Sequence, residues 1–384
     1  MIKEKKLIPL LSILLILVLG VIGYEVYYLI NDYQINQEVE YTVGNNTFEV
    51  NTTININDFK IQTTNGTIVN NGYYFDTTTL GEKRFTLETQ NKRGTSKKYV
   101  ISYNVVDTTA PSITNSTNMT FYVDTELDFN SLLHLSDNYD DKIQLTVNGT
   151  IDITEPGTYY LSAIVLDSSN NKATIPLTIN LLERPEYIEG SYVMEDITLT
   201  TSKGYQLEVI DHIAYIDGTM IINKSYPLPS DYAYGFHEDT QTAFELMRLD
   251  AEALGLKLTN SSGYRTYNYQ AYLYNYYCNL YGQTYADTIS ARPGHSEHQS
   301  GYALDLNTIT GAFANTDEGI WVNENCHKYG FILRYPESKT NETGYAYEPW
   351  HLRYVGVELA SELYNDGDWI TVEDYYGITS EYPY

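Results

Sequence analysis

The strongest constraint on this chain is that part of it occurs twice. Leu80-Gly81-Glu82-Lys83-Arg84-Phe85 corresponds to Pro156-Gly157-Thr158-Tyr159-Tyr160-Leu161, and Ile101-Ser102-Tyr103-Asn104-Val105-Val106 corresponds to Leu177-Thr178-Ile179-Asn180-Leu181-Leu182. The offset is 76 residues in both places, from Gly81 to Gly157 and from Val106 to Leu182. Two stretches that keep one spacing read as two copies of one module. Residues 36–184 are rich in Thr, Asn, Val, Ile and Tyr, with turn residues at short intervals, which is an all-β pattern. One copy is expected over 36–107 and the other over 108–184.

Val106-Asp107-Thr108-Thr109-Ala110-Pro111 joins the copies and resembles the linker between bacterial immunoglobulin-like repeats. Asp137-Asn138-Tyr139-Asp140-Asp141, followed by Pro156-Gly157-Thr158-Tyr159, resembles the same family. The resemblance implies two small immunoglobulin-like β-sandwiches serving as a stalk, with adhesion or ligand binding as the alternative. The acidic run Asp137, Asp140 and Asp141 suits a hydrated turn; calcium binding is the alternative reading.

Ahead of the repeats, Leu7 to Tyr24 is a run of eighteen residues without charge. As a helix it would span about 27 Å, close to the hydrocarbon thickness of a bilayer. Lys3, Lys5 and Lys6 precede it, which puts the N-terminus in the cytoplasm and the rest of the chain outside. Tyr24, Tyr27 and Tyr28 suit the outer interface. A cleaved signal peptide would have a shorter apolar core ending in a small-x-small site. The expectation over 1–35 is therefore an uncleaved, single-pass transmembrane signal anchor and a short stalk, with the bulk of the chain extracellular at the cell membrane.

The net charge of −27 argues against nucleic acid and against anionic lipid as partners, because both need clustered Lys and Arg. Cys278 and Cys326 are the two cysteines, too few for a disulfide framework; two separate buried thiols are expected, and one bridge is the alternative. The 40 tyrosines make any single Tyr weak evidence of function.

From residue 185 the pattern changes to mixed helix and strand. Ala243, Leu246, Met247, Ala251 and Leu254 follow helical spacing, with Asp239 or Thr240 as cap and Gly255 as stop. A second helix is expected over Tyr267–Leu280, closed by Gly282; Val322, Cys326 and Tyr329 lie on a third, closed by Gly330. Strand-like runs sit at Ala303–Leu306, Phe331–Tyr335 and Leu352–Val355. An α+β domain is expected over 185–384.

Its chemistry sits in two short segments, Ser296-Glu297-His298-Gln299-Ser300-Gly301-Tyr302-Ala303-Leu304-Asp305 and Tyr347-Glu348-Pro349-Trp350-His351. Two histidines and one carboxylate can hold a zinc ion with a coordination position left open. Pro293, Gly294 and Gly301 argue against a continuous helix there, and an odd spacing would put His298 and Asp305 on opposite faces of one strand. His298 is therefore expected in the loop before the strand and Asp305 on it. Glu348, three residues before His351, could act on a water at the ion rather than ligate it. Scattered histidines are commonly structural, so spacing alone leaves both readings open.

Four ordered motifs carry a further resemblance. They are Ser262-Gly263-Tyr264-Arg265-Thr266-Tyr267 with Gln270; Ser290-Ala291-Arg292-Pro293-Gly294-His295-Ser296-Glu297-His298 running on to Asp305; Tyr329-Gly330-Phe331-Ile332-Leu333-Arg334-Tyr335-Pro336; and Tyr347-Glu348-Pro349-Trp350-His351-Leu352-Arg353-Tyr354. Asn223-Lys224 and Tyr226-Pro227-Leu228-Pro229 fit ahead of them. Over residues 195–365 the chain resembles the VanY-type D-alanyl-D-alanine carboxypeptidases, zinc enzymes of bacterial cell walls. The resemblance implies an antiparallel sheet with flanking helices. It implies His298, Asp305 and His351 as ligands of one Zn²⁺, Glu348 as catalytic base and Arg265 facing the developing oxyanion. Gln270 and Ser290 are implied as substrate contacts, and His295 is not carried over as a ligand.

The implied substrate is a peptidoglycan stem peptide losing its C-terminal D-Ala. Zinc, Asp305, Glu348 and Arg265 together carry one positive charge, which favours a substrate ending in a carboxylate. An L,D-carboxypeptidase or an endopeptidase on the same peptides shares these motifs. A wall-binding or adhesion protein that keeps zinc for stability is the rival of another class, although such a site needs neither Glu348 nor Arg265.

Overall fold

The computed structural model describes residues 7–69, 72–185 and 194–382. A helix covers Leu7–Asn36. An 18-residue window within its Ser12–Asn36 stretch has a mean hydropathy of 2.3 and is not buried, so the helix is long and apolar enough to cross a membrane; a signal sequence near the N-terminus has the same properties. Lys3, Lys5 and Lys6, on which the expected orientation rests, lie outside the described residues.

The chain divides into two compact units, Met1–Pro111 with Ser136–Gln144 and Leu166–Ala173, and Ser112–Leu135 with Leu145–Val165 and Thr174–Tyr384. In the first, Gly81–Asn91 and Ser96–Val106 form an antiparallel hairpin, flanked by Gly66–Ile68 and, running parallel, by Thr47–Glu49. Side chains alternate across a strand, and Phe85 and Leu87 with Ile101, Tyr103 and Val105 fall on its buried side. They close on Phe48, Phe59 and Phe75, whose rings meet Phe85 or one another at 4.7–4.9 Å between centroids.

Most of the second copy's sheet lies in the second unit. Gly157–Leu166 and Lys172–Leu182 take the hairpin's place, and Asn118–Tyr122 runs parallel to the latter strand, as Thr47–Glu49 does in the first copy. The hairpins start at Gly81 and Gly157 and end at Val106 and Leu182, so the sequence offset is also the structural one.

An antiparallel meander follows, Ile197–Thr200, Gln206–Ile210, Ile213–Ile216 and Thr219–Ile221. The last sheet is antiparallel throughout, in the order Asn260–Ser262, Ala303–Leu306, His351–Tyr354, Phe331–Leu333. Helices Glu238–Ala253, Tyr267–Tyr281, Asp317–Asn325 and Val357–Tyr364 accompany it. Leu304, Leu306 and Leu352 enter one core with Met247, Ala251, Phe331 and Leu363. By the strand's period of two, Asp305, His351 and Arg353 belong to the opposite face. One side of this sheet is thus hydrocarbon and the other carries charge.

Several expectations shift. The first helix is capped by His237, placing Glu238 and Asp239 in its first turn, where they favour the positive end of the helix dipole. Leu246 and Leu254 are exposed, and the buried stripe is Ala243, Met247 and Ala251. The helix expected through Tyr329 breaks into Asp317–Asn325 and a tighter turn over Cys326–Tyr329, with Gly330 at φ 85°. Phe331–Leu333 is shorter than expected, and the following strand starts at His351 itself. Both cysteines are free thiols; Cys326 is buried, but Cys278 is only half-buried.

Candidate metal centre

The register of two strands builds the site. Asp305 pairs with His351 across the sheet, and Ser262 with Asp305 on the other side. Directly opposed residues hold their Cβ atoms about 4.5–5.5 Å apart, so a carboxylate and an imidazole are forced together. His298 comes from the short 3₁₀ turn Glu297–Ser300, before the strand. That turn ends at Gly301 with φ 80°, where a Cβ would lie 1.9 Å from the Gly235 carbonyl oxygen, so only glycine fits. Glu348 returns to the site through a turn in which the His351 amide donates to the Glu348 carbonyl at 3.2 Å. Pro349 at the second position of that turn presets its φ.

His298 Nε2 lies 3.3 Å from Asp305 Oδ2, and His351 Nδ1 lies 3.2 Å from Asp305 Oδ1. Donors of a tetrahedral ion bound at roughly 2.1 Å stand about 3.4 Å apart. One ligand atom from each of the three residues lies within 4.8 Å of the others, so the set fits a single small divalent cation. The tautomers fit as well. His298 Nδ1 donates to the Gly263 carbonyl at 2.7 Å, leaving the lone pair on Nε2. His351 Nε2 donates to Glu297 Oε2 at 3.2 Å, which assigns Nδ1 to the ion.

Burial pushes the His351 imidazole down, but hydrogen bonds to Asp305 and Glu297 outweigh it and raise it to about 9. Without a cation the ring is therefore charged at neutral pH, and a metal must displace a proton to bind. Burial lowers His298. Asp305 is held well below the usual carboxylate range, because the two imidazoles outweigh its burial. Glu348 is different: burial pushes its carboxyl up to about 7.

The three ligand side chains are 5% exposed, whereas Arg265 and Glu348 are each 17% exposed. These two therefore form the side that a substrate can approach. Glu348 Oε2 is 3.8 Å from His351 Nδ1, and Arg265 Nη2 is 3.7 Å from Asp305 Oδ2. Arg265 donates to Gln270 Oε1 at 2.8 Å and to Ser262 Oγ at 3.0 Å. Gln270 is buried, and its amide nitrogen donates to Ser290 Oγ at 3.2 Å and to the Ala291 carbonyl at 2.7 Å. All seven side chains singled out in the sequence are thus joined in one cluster. His295 stays outside it, bonded through Nδ1 to the Asn223 carbonyl at 2.9 Å.

Sequence reasoning missed what stands behind His351. Glu297 is fully buried and accepts from Arg334 Nε at 2.8 Å and Arg353 Nη1 at 3.2 Å. Arg334 also binds Glu373 through two nitrogens, at 2.8 and 2.6 Å, and Asn223 donates to Glu373 at 2.9 Å. These two arginines and two glutamates cancel, so Glu297 leaves the charge of the open side unchanged. The signal was present as Arg334 and Arg353 inside otherwise apolar strand runs, where a charge is seldom buried unpaired.

A family model described as VanY, D-alanyl-D-alanine carboxypeptidase, matches residues 234–357. The bifunctional D-Ala-D-Ala dipeptidase and D-Ala-D-Ala carboxypeptidase VanXYC of Enterococcus gallinarum is 33% identical over 178 residues, which span 41% of this chain and 92% of that protein. The chain belongs to the VanY family. Its relative YodJ of Bacillus subtilis is 37% identical over 182 residues, 41% of this chain; this chain spans 66% of YodJ, just under two thirds. Among solved structures, the LdcB LD-carboxypeptidase is 32% identical and covers 46% of this chain and 95% of its own, with a TM-score of 0.40. A vancomycin-resistance D,D-pentapeptidase VanY in complex with Zn(II) is 32% identical and covers 40% and 96%, with a TM-score of 0.37.

Proposed function

We propose that this protein is a zinc-dependent carboxypeptidase that removes the C-terminal D-Ala from peptidoglycan stem peptides. The observation that carries the reading is the convergence of His298 Nε2, Asp305 and His351 Nδ1, with Glu348 and Arg265 on the more exposed side. The donor set of two imidazoles and one carboxylate suits zinc. Bound there, one zinc ion supplies Lewis acidity and activates water.

The chain's own residues supply the rest. Glu348, with a carboxyl near neutrality, takes a proton from the attacking water as its oxygen bonds to the carbonyl carbon. It returns that proton to the leaving amine as the C–N bond breaks, giving a shortened peptide and free D-Ala. Arg265 faces the negative charge that develops on the carbonyl oxygen, and a guanidinium fixed by Gln270 and Ser262 needs little reorganisation to do so. Ser290 is assigned to substrate contact. Gln270, expected to touch substrate, is assigned to orienting Arg265 and Ser290.

The N-terminal helix supports a single-pass anchor with the N-terminus cytoplasmic and the peptidase domain, 185–384, outside at the wall. The repeated hairpins support immunoglobulin-like spacers over 36–107 and 108–184. An anionic enzyme gains no electrostatic attraction to anionic wall polymers, so a tether would supply the effective concentration.

The test is to incubate the full chain, in detergent, with a pentapeptide ending D-Ala-D-Ala and separately with the tetrapeptide. Each is run with zinc and with chelator. Zinc-dependent release of D-Ala from the pentapeptide is expected. Cleavage of the tetrapeptide alone would move the assignment to an L,D-carboxypeptidase, and no cleavage of either would overturn the peptidase reading.

A further inference from the structure

A second group of potential ligands lies far from the first in sequence. Asp107, Asp137, Asp140 and Asp167 each offer a carboxylate oxygen, and these four atoms lie within 4.8 Å of one another. All four residues belong to the first unit, on its three separate chain segments. We propose that this cage is a calcium site that clasps those segments together.

A hydrated acidic turn, the reading favoured by the sequence, does not account for it. Asp107 is 8% exposed and Asp167 3% exposed, so two of the four carboxylates are withdrawn from water. Asp141, the third acid of the sequence run, stays exposed and outside the group. Among the described residues, none of the four forms an ion pair with Lys, Arg or His. Four carboxylates this close, without a compensating cation, repel one another strongly.

The second observation is independent of the clustering. Oδ1 of Asp107 accepts from the Thr109 amide at 3.3 Å and the Ser169 side chain also stabilises the carboxylate, while the buried Oδ2 meets no partner in good hydrogen-bond geometry. Oδ2 of Asp137 and Oδ1 of Asn138 are buried without partners as well. A buried oxygen left unbonded carries a cost of about 1–3 kcal/mol, more if charged, so the Asp107 and Asp137 oxygens would gain from a cation.

The remaining oxygens are held in place. Ser168 donates to both oxygens of Asp140, at 2.8 and 2.9 Å. The amides of Tyr139 and Asp140 donate to Asp137 Oδ1 at 2.9 and 3.0 Å, and Asn171 donates to both oxygens of Asp167 at 2.7 and 2.8 Å. Asn138 is oriented by its amide nitrogen, which donates to Glu49 Oε1 at 3.1 Å.

The donor chemistry selects the ion. There is no imidazole or thiolate, so zinc is disfavoured and a hard cation preferred. Calcium takes six to eight oxygens at about 2.3–2.6 Å, so ligands of one ion stand no more than about 5.2 Å apart, and the four carboxylate oxygens lie within 4.8 Å of one another. Magnesium demands a near-ideal octahedron and retains most of its waters, which an enclosed set of four carboxylates does not favour.

The experiment uses the full chain in detergent, stripped with chelator, saturated with zinc and then titrated with Ca²⁺ by equilibrium dialysis. One calcium ion per chain and a calcium-dependent rise in melting temperature are expected. Asp137→Asn with Asp140→Asn should weaken binding by about 100-fold or more while zinc content stays the same. The two substituted side chains are only half-buried, and their loss relieves repulsion. The doubly substituted chain should therefore melt no lower than wild type in chelator. No calcium uptake by wild type up to about 10 mM, or uptake by the variant at wild-type affinity, would overturn the proposal.

Discussion

The His298–Asp305–His351 centre and the aspartate cage each gather potential ligands from distant parts of the chain, yet their chemistry differs. The first mixes two imidazoles with one carboxylate and has Glu348 and Arg265 on its accessible side. The second holds four carboxylates and no nitrogen donor. Behind the first stand two buried arginines, which let Glu297 keep its charge and grip His351. The cage has no cationic partner among the described residues. A cluster of ligands is therefore not by itself a catalytic site. Hydrolysis also needs a proton carrier poised near neutral pH and a cation aimed at the charge that develops during reaction. Those two groups separate the centres more sharply than the ligands do.

The largest effect that tests this contrast is at Glu348. Glu348→Gln should lower turnover on the pentapeptide by on the order of 10⁴-fold while zinc content, read by metal analysis, stays at one per chain. Loss of zinc together with turnover would make Glu348 a ligand and erase the distinction. Next comes Arg334. Arg334→Met leaves Glu297 and Glu373 buried without their main partner, and a chemical-denaturation series should show a loss of about 3–5 kcal/mol. A third, smaller effect follows from Glu297 itself. Glu297→Gln keeps the shape but weakens the hydrogen bond that fixes the His351 tautomer. Zinc affinity, measured by chelator competition, should fall about 10–100-fold. An unchanged affinity would mean that the Glu297 hydrogen bond does not set the tautomer.

Much of the His298–Asp305–His351 centre could be read from the sequence, and the reasons are specific. The strand Ala303–Leu306 falls where its apolar run sits, and Gly301, Gly282 and Gly330 mark chain reversals that only positive φ allows. The spacing of His298 and Asp305 against those glycines places one in a turn and the other on a strand, as found. What spacing could not supply was register. Nothing local states that Asp305 faces His351 rather than the residue two places on, because pairing is set by the whole sheet. Glu297 was hidden for a similar reason, since its meaning depends on Arg334 and Arg353 from two other strand regions. Of the cage, Asp137 and Asp140 stood out in the sequence, with calcium as the alternative reading, but Asp107 and Asp167 lie 60 residues apart and neither has a neighbour in sequence that marks it as a ligand. The second copy, by contrast, announced itself, because a repeat is a comparison within the sequence and needs no partner from elsewhere.

The smallest expected effect sits beside the cage and distinguishes a carboxylate that binds protein from one that binds an ion. Burial pushes the Glu49 carboxyl up, but hydrogen bonds from Thr108, Thr109 and Asn138 outweigh it and hold it down to about 2, against an ordinary value of 4.5. Each oxygen of Glu49 has partners, so unlike Asp107 it has no need of a cation. A carboxyl held low adds stability above its unfolded-chain value and loses it as pH falls toward its folded one. Wild type should therefore exceed Glu49→Gln in melting temperature at pH 6, and the gap should close between pH 4.5 and about 2. For a half-exposed group the difference is under about 1 kcal/mol. Melts of the full chain in chelator isolate the effect, since calcium in the neighbouring cage would otherwise contribute its own pH dependence. A gap that stays constant down to pH 2 would show that the Glu49 charge is not what holds Thr108 and Thr109, and that the glutamine amide serves equally well.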